Sequence, residues 1–248
     1  MSEQLHFAEH TLQEVALGFM ALVYCIRIYW FTRFTAGKER QPPTGPASTT
    51  PRKGILFSWG IIGMPWAMES SRKNMFMWLQ FVLFHMGVVA AIGLSFIIPY
   101  LPEVLAIAGV IPTLQVLTGT ACVIGVMRMI RRLGGKHMRA ISTPDDVFSL
   151  LLLTVWFAFA FQAVPNSTAN GEWQLMTYFW MTAFFLVYVP FSKISHYLYY
   201  PFTRYYLGKS MGRRGVFPFE RGQPQAAPTG TPGAPALANV GAIQRVKA

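Results

Sequence analysis

Two histidines stand where an ionisable side chain is expensive. His85 lies in Phe81–Pro99, FVLFHMGVVAAIGLSFIIP, and His196 lies in Phe184–Gly208, FFLVYVPFSKISHYLYYPFTRYYLG. A ligating side chain at membrane depth marks a functional site by default. No cysteine pair and no carboxylate accompanies either residue in its apolar run. Two imidazoles on two hydrophobic helices suit the axial ligation of a haem iron. The plainer alternative is a pair of hydrogen-bonded buried histidines that serve structure alone.

The remaining histidines have other settings. His6 and His10 are spaced i,i+4, which is metal-ligand spacing on one helix face, but no third ligand accompanies them and a solvated polar end explains them. His137 follows Lys136 in a basic segment and reads as a solvated side chain. A haem near that segment needs cations for its propionates, and Arg128, Arg131, Arg132, Lys193 and Arg204 are the candidates. For the first three, a role in setting membrane topology is explanation enough. The tyrosines at 197, 199, 200, 205 and 206 read most simply as an aromatic belt, with a quinone head-group pocket among the rings as the sharper alternative.

The elements that must position these residues follow from composition. Of the 248 residues 53% are hydrophobic and 12% charged, and mean hydropathy is +0.36. An ordinary soluble domain carries about 25% charged residues. Several runs exceed the roughly 18 apolar residues that cross a bilayer, so the chain is an all-α integral membrane protein. A net charge of +11 could suggest nucleic acid, but the cations fall between the apolar runs, which excludes that partner in favour of membrane lipids. Cys25 and Cys122 lie singly in apolar runs, which argues against a disulfide or a cysteine-ligated cluster within the chain. The N-terminus, MSEQLHFAEHTLQEV, lacks the basic region and cleavage site of a signal peptide.

Five spans are expected, at about 12–34, 74–99, 104–126, 147–164 and 175–199. Spans two and three are separated by only a few residues and form an antiparallel hairpin. Thr143–Asp146 is a helix start, with a Thr cap, Pro at the first position and acids in the first turn. Pro190 should kink the fifth span or open a carbonyl about a turn above the site. Residues 35–55 read as a Pro/Gly/Thr-rich linker without a long regular element, and 56–68 as an interfacial segment carrying Trp59 and Trp66. The five-helix domain ends near 222, and the Pro/Gly/Ala-rich tail 223–248 is expected to be flexible. Asn166-Ser-Thr matches a glycosylation sequon, a weak motif that needs a secretory lumen.

Lysine and arginine set the orientation. The N-terminus and the 2–3 and 4–5 connections have none, whereas the 1–2 and 3–4 connections and the C-terminus are rich in both. The positive-inside rule therefore puts the N-terminus outside and the C-terminus in the cytoplasm, with His85 and His196 both in the cytoplasmic half.

The FHMG stretch at His85, the basic segment leading into RAISTPDD and the closing PFSKISHYLYYP resemble the gamma subunit of respiratory nitrate reductase. The same family fold includes membrane haem b subunits found beside heterodisulfide-reductase-like iron–sulfur proteins, and the resemblance covers roughly residues 12–205. It implies an electron-transfer subunit of a quinone-linked oxidoreductase complex in the inner (cytoplasmic) membrane, exchanging electrons with a cytoplasmic iron–sulfur partner. His85 and His196 match the two ligands of the haem nearer the cytoplasm. The family pattern has a second haem, whose ligand positions are held here by about Ser95 and Tyr178, neither a usual haem b ligand. With only His85 and His196 inside the spans, one bis-histidine haem b per chain is expected. The alternatives from other classes are a cofactor-free membrane anchor for a peripheral enzyme and a small transporter. No span carries the buried acid or the broken helix pair that transporter sites use.

Overall fold

The computed structural model describes residues 2–35, 37, 48–169 and 171–218. The tail 223–248 and most of the linker, 38–47, lie outside the described residues. Those described are mostly helical, without a strand: α1 (Glu3–Glu9), α2 (Thr11–Arg33), α3 (Pro51–Gly60), α4 (Glu69–Lys73), α5 (Met75–Tyr100), α6 (Val110–Gly134), α7 (Lys136–Ile141), α8 (Pro144–Ala163), α9 (Trp173–Tyr188) and α10 (His196–Arg213). Five stretches are long and apolar enough to cross a membrane: Glu3–Arg33, Met75–Tyr100, Val110–Gly134, Pro144–Ala163 and Trp173–Phe191. The chain is a multi-pass membrane protein of the expected all-α class. By compactness it divides into two units, one drawn from residues 2–37 and 61–203 and one from 48–60 and 204–218.

The first unit holds the spans. Because lipid is as apolar as a protein core, close approach and interhelical hydrogen bonds hold such helices together. At Gly87 a Cβ would lie 2.2 Å from the Ala121 Cβ, so α5 and α6 cross nearly in backbone contact. At Gly125 it would lie 2.4 Å from Thr154 Oγ1, which brings α6 equally close to α8. Trp156 Nε1 donates to Thr182 Oγ1 at 2.8 Å, tying α8 to α9 inside a core of Leu94, Phe157, Tyr178 and Phe179. α2 is joined to α9 by Gln13 Nε2, which donates to the Phe179 carbonyl at 2.7 Å.

Several boundaries differ from the expectation, each for a local reason. Residues 3–9 are a helix rather than a solvated end: Ser2 caps it, and Leu5 and Ala8 are buried at 1% and 0% exposure. The third span starts at Val110, because Pro102–Ala106 forms a 3-10 turn and Gly109 turns the chain at φ 88°. It runs on to Gly134, so Arg128, Arg131 and Arg132 ride the last turns of α6 and are not in a loop. The fourth start is as read, with a full capping box between Thr143 and Asp146. The fifth helix stops sooner than 199. Pro190 opens a 3-10 turn over Val189–Phe191, Ser192 is extended (φ −98°, ψ 171°), and a second 3-10 turn, Lys193–Ser195, leads into α10. His196 is therefore the first residue of a new helix rather than a member of the fifth span.

In the second unit, α3 corrects the reading of 35–55 as a linker to its end. Pro51 is tolerated at the first helical position, where no amide is needed. Thr50 Oγ1 accepts the Lys53 amide at 3.3 Å, and the Thr50 carbonyl accepts Gly54 at 3.0 Å. The expected interfacial segment is thus divided between α3 and the 3-10 turn Ile61–Gly63. Gly54 packs on Gly208 and Gly212, one turn apart on α10: a Cβ on Gly54 would lie 2.2 Å from the Gly208 carbonyl and 2.6 Å from Gly212 Cα.

Candidate functional site

α5 carries His85 as its eleventh residue, so the ring stands about 15 Å along the helix from Met75. Its Nδ1 lies 2.7 Å from the Phe81 carbonyl, one turn back on the same helix. The aromatic rings of Phe81 and Phe84 flank it, at centroid distances of 4.2 and 6.0 Å. His196 is held differently. Its Nδ1 lies 3.0 Å from the carbonyl of Lys193, the residue that opens the 3-10 turn before α10.

The fold brings the two imidazoles together, with centroids 6.5 Å apart and ring planes at 83°. A carbonyl can only accept, so each Nδ1 carries the proton and each Nε2 keeps its lone pair for a ligand. This is the arrangement of metal-binding histidines, in which the second ring nitrogen donates to a backbone carbonyl and fixes ring and tautomer. Imidazole nitrogens bind transition metals at about 2 Å, which puts the centroids of two rings on opposite sides of one ion roughly 6 Å apart. The residues present therefore fit an iron held between His85 and His196. Among the described residues no group of three or more His, Cys, Asp or Glu is disposed to hold an ion.

The five candidate cations divide. Arg128 places its guanidinium carbon 5.1 Å above the Phe84 ring, and its buried Nε has no hydrogen-bond partner among the described residues. An unpartnered buried donor beside the histidine pair is what an anionic substituent of a cofactor would satisfy. Arg131 directs Nη1 at Met77 Sδ, 3.2 Å away. Arg132 donates to Ser142 Oγ at 2.8 Å and lies 3.7 Å from Asp146 Oδ2. Lys193 donates to Thr143 Oγ1 at 2.8 Å and to Asp146 Oδ2 at 3.0 Å, so both cations are already committed to the start of α8. Arg204 belongs to the second unit.

Beside His196 lies a polar aromatic group that the belt reading absorbed without detail. Tyr24 and Tyr197 share a 2.6 Å hydrogen bond, and Arg27 reaches Tyr199 at 3.5 Å. Where the sequence has Ser95 and Tyr178, the structure has packed core: Tyr178 is 0% exposed and donates to the Ala91 carbonyl at 2.6 Å, and Ser95 bonds back to the Ile92 carbonyl at 2.8 Å. His6 and His10 lie with ring centroids 4.8 Å apart beside Tyr100, and His137 is exposed on α7. Cys25 and Cys122 are free.

The residues that sequence reasoning missed are Asp145 and Asp146 in a tertiary role. Thr143–Asp146 was legible as a helix start, but nothing local says that both acids reach the turn before His196. No family model, no curated protein and no solved structure matches the chain.

Proposed function

We propose that the chain is a membrane cytochrome b subunit of a respiratory oxidoreductase complex, similar to the gamma subunit of respiratory nitrate reductase. A haem b held by His85 and His196 would let it pass electrons between the quinone pool and a cytoplasmic iron–sulfur subunit. One observation carries the reading: two imidazoles from separate elements, 6.5 Å apart, each with Nδ1 engaged by a backbone carbonyl. When bound, the haem supplies one-electron chemistry that amino-acid side chains lack.

The chain's own residues supply position and charge. Phe81 and Phe84 wall the site, and the carbonyls of Phe81 and Lys193 hold the imidazoles in the tautomer that leaves Nε2 as donor. Arg128 offers a buried, unpartnered donor to a propionate. The filled core around Tyr178 and Ser95 supports a single haem. Cations cluster at one end of the spans, from Arg27 and Arg33 through Arg72 and Lys73 to Arg131, Arg132 and Lys193, while Glu3, Glu103 and Glu172 mark the other. The positive-inside rule then supports a cytoplasmic C-terminus in the inner membrane, with the haem facing the cytoplasmic partner.

Haem per chain is the deciding measurement. Pyridine haemochrome divided by protein concentration should come to about one, and His196→Ala should abolish the low-spin spectrum. A ratio near two, or a spectrum unchanged by His196→Ala, overturns the assignment.

A further inference from the structure

The two ligand histidines are oriented by unlike means. His85 leans on the carbonyl of its own helix, four residues back, and that carbonyl moves only if α5 unwinds. His196 leans on the carbonyl of Lys193, in a three-residue turn preceded by an extended Ser192. Within the turn, Ser192 Oγ accepts the Ile194 amide at 3.2 Å and Ser195 Oγ donates to the Ser192 carbonyl at 2.8 Å, but something outside it must hold the turn in place against the bundle.

The structure shows what does. The Lys193 amide donates to Asp145 Oδ2 at 3.4 Å, and the Lys193 ammonium donates to Asp146 Oδ2 at 3.0 Å and to Thr143 Oγ1 at 2.8 Å. One residue is thus gripped at its backbone and at its side-chain tip by adjacent carboxylates of α8. The carboxylates are held in turn. Asp145 Oδ1 accepts Tyr188 Oη at 2.5 Å and Ser149 Oγ at 3.4 Å, which ties the end of α9 to α8. Asp146 Oδ2 accepts the Thr143 amide and hydroxyl, each at 2.8 Å, and faces Arg132 of α6 at 3.7 Å. Three helices therefore converge on the peptide that aims His196.

We infer that Asp145 and Asp146, acting through Lys193, are positioning residues for His196, holding the Lys193 carbonyl so that the imidazole keeps Nδ1–H bound and Nε2 free for the iron. The inference rests on the haem reading above and assigns Lys193 a task other than binding a propionate. Partners in this outer layer matter because they fix ring orientation and ligand basicity, and their loss typically weakens metal binding by roughly 10–100-fold. The loss should fall on one side. Cutting the grip loosens His196 and leaves His85 intact, so the haem stays but gains an exchangeable coordination position.

Carbon monoxide reads that position directly. It binds reduced haem at a vacated axial site and is kept out where both histidines hold. In the full chain in detergent, Lys193→Met should retain haem while carbon monoxide binding at fixed pressure rises on the order of tenfold, and Lys193→Arg should restore most of the exclusion. Lys73→Met removes a cation from a surface pair with Glu69 (2.6 Å) and should leave carbon monoxide binding unchanged. Should Lys193→Met not accumulate, Asp145→Asn, which weakens the backbone grip and the Tyr188 contact but leaves the Lys193 ammonium on Asp146, carries the same expectation at smaller size. Haem-loaded Lys193→Met, or Asp145→Asn in its place, that excludes carbon monoxide as well as the unsubstituted chain overturns the positioning role; so does an equal rise in Lys73→Met. An unsubstituted chain that carries no haem, or a spectrum indifferent to His196→Ala, instead overturns the haem reading itself.

Discussion

Gly87 and Gly93 lie on the same helix, less than two turns apart, and should answer the same substitution with opposite signs. At Gly87 an added Cβ would stand 2.2 Å from the Ala121 Cβ and 2.9 Å from the Leu117 carbonyl oxygen. Neither obstacle can swing away, because one is fixed to the backbone and the other belongs to it. Restoring ordinary contact requires α5 and α6 to part by about 1.2 Å, which loosens the neighbouring contacts along the crossing. Overpacking of this kind costs about 1–3 kcal/mol. The upper part of that range applies here, offset by about 1 kcal/mol of helix preference for Ala over Gly. Gly87→Ala should therefore destabilise by about 1–2 kcal/mol, roughly a tenfold larger unfolded fraction. Gly93 has nothing within 4 Å of an added Cβ, so Gly93→Ala keeps the propensity gain alone and should stabilise by up to about 1 kcal/mol. The assay is unfolding of the purified chain in a fixed detergent micelle, followed by circular dichroism against denaturant. Gly87→Ala as stable as Gly93→Ala would refute the backbone-contact crossing of α5 and α6.

Two further outcomes concern the ends of the bundle. Glu172 accepts the Ser2 hydroxyl and, at 2.8 Å, the Ser2 amide, and these bonds hold its carboxyl below the ordinary carboxylate range. A depressed folded value contributes stability that is present above the unfolded value of about 4.3 and is lost as pH falls through the folded value, so protection of the α1 amides, corrected for intrinsic exchange, should drop in that acid window. In Glu172→Gln that acid drop should be smaller, Glu3 and Glu9 of α1 still titrating; the same acid drop in both chains would count against the clasp. For the orientation, a reporter active only in the cytoplasm, fused after Ala248, should be active, whereas activity of an export-dependent reporter would reverse it.

What the sequence determined by itself is whatever depends on local quantities. A run of apolar residues long enough for a bilayer declares a span wherever it occurs, so five helices were legible, and the Thr143-Pro-Asp-Asp start was legible from its caps. His85 and His196 stood out because an imidazole in an apolar run is conspicuous without any neighbour. Helix ends were less legible. Composition does not reveal that Gly109 turns the chain at φ 88°, or that Pro190 and Ser192 together stop the fifth helix before His196.

Tertiary structure alone decided who meets whom. In water, an apolar stripe with helical period announces the face that will be buried. In a bilayer the lipid side is equally apolar, so the period carries little information and the buried face is set by small residues and hydrogen bonds. Gly87 against Ala121 and Trp156 bonded to Thr182 are of that kind. Lys193 is the sharpest case. Its sequence neighbours offer it to a propionate, but folding places two carboxylates of α8 within reach, and the half-exposed ammonium pairs with Asp146 at 3.0 Å.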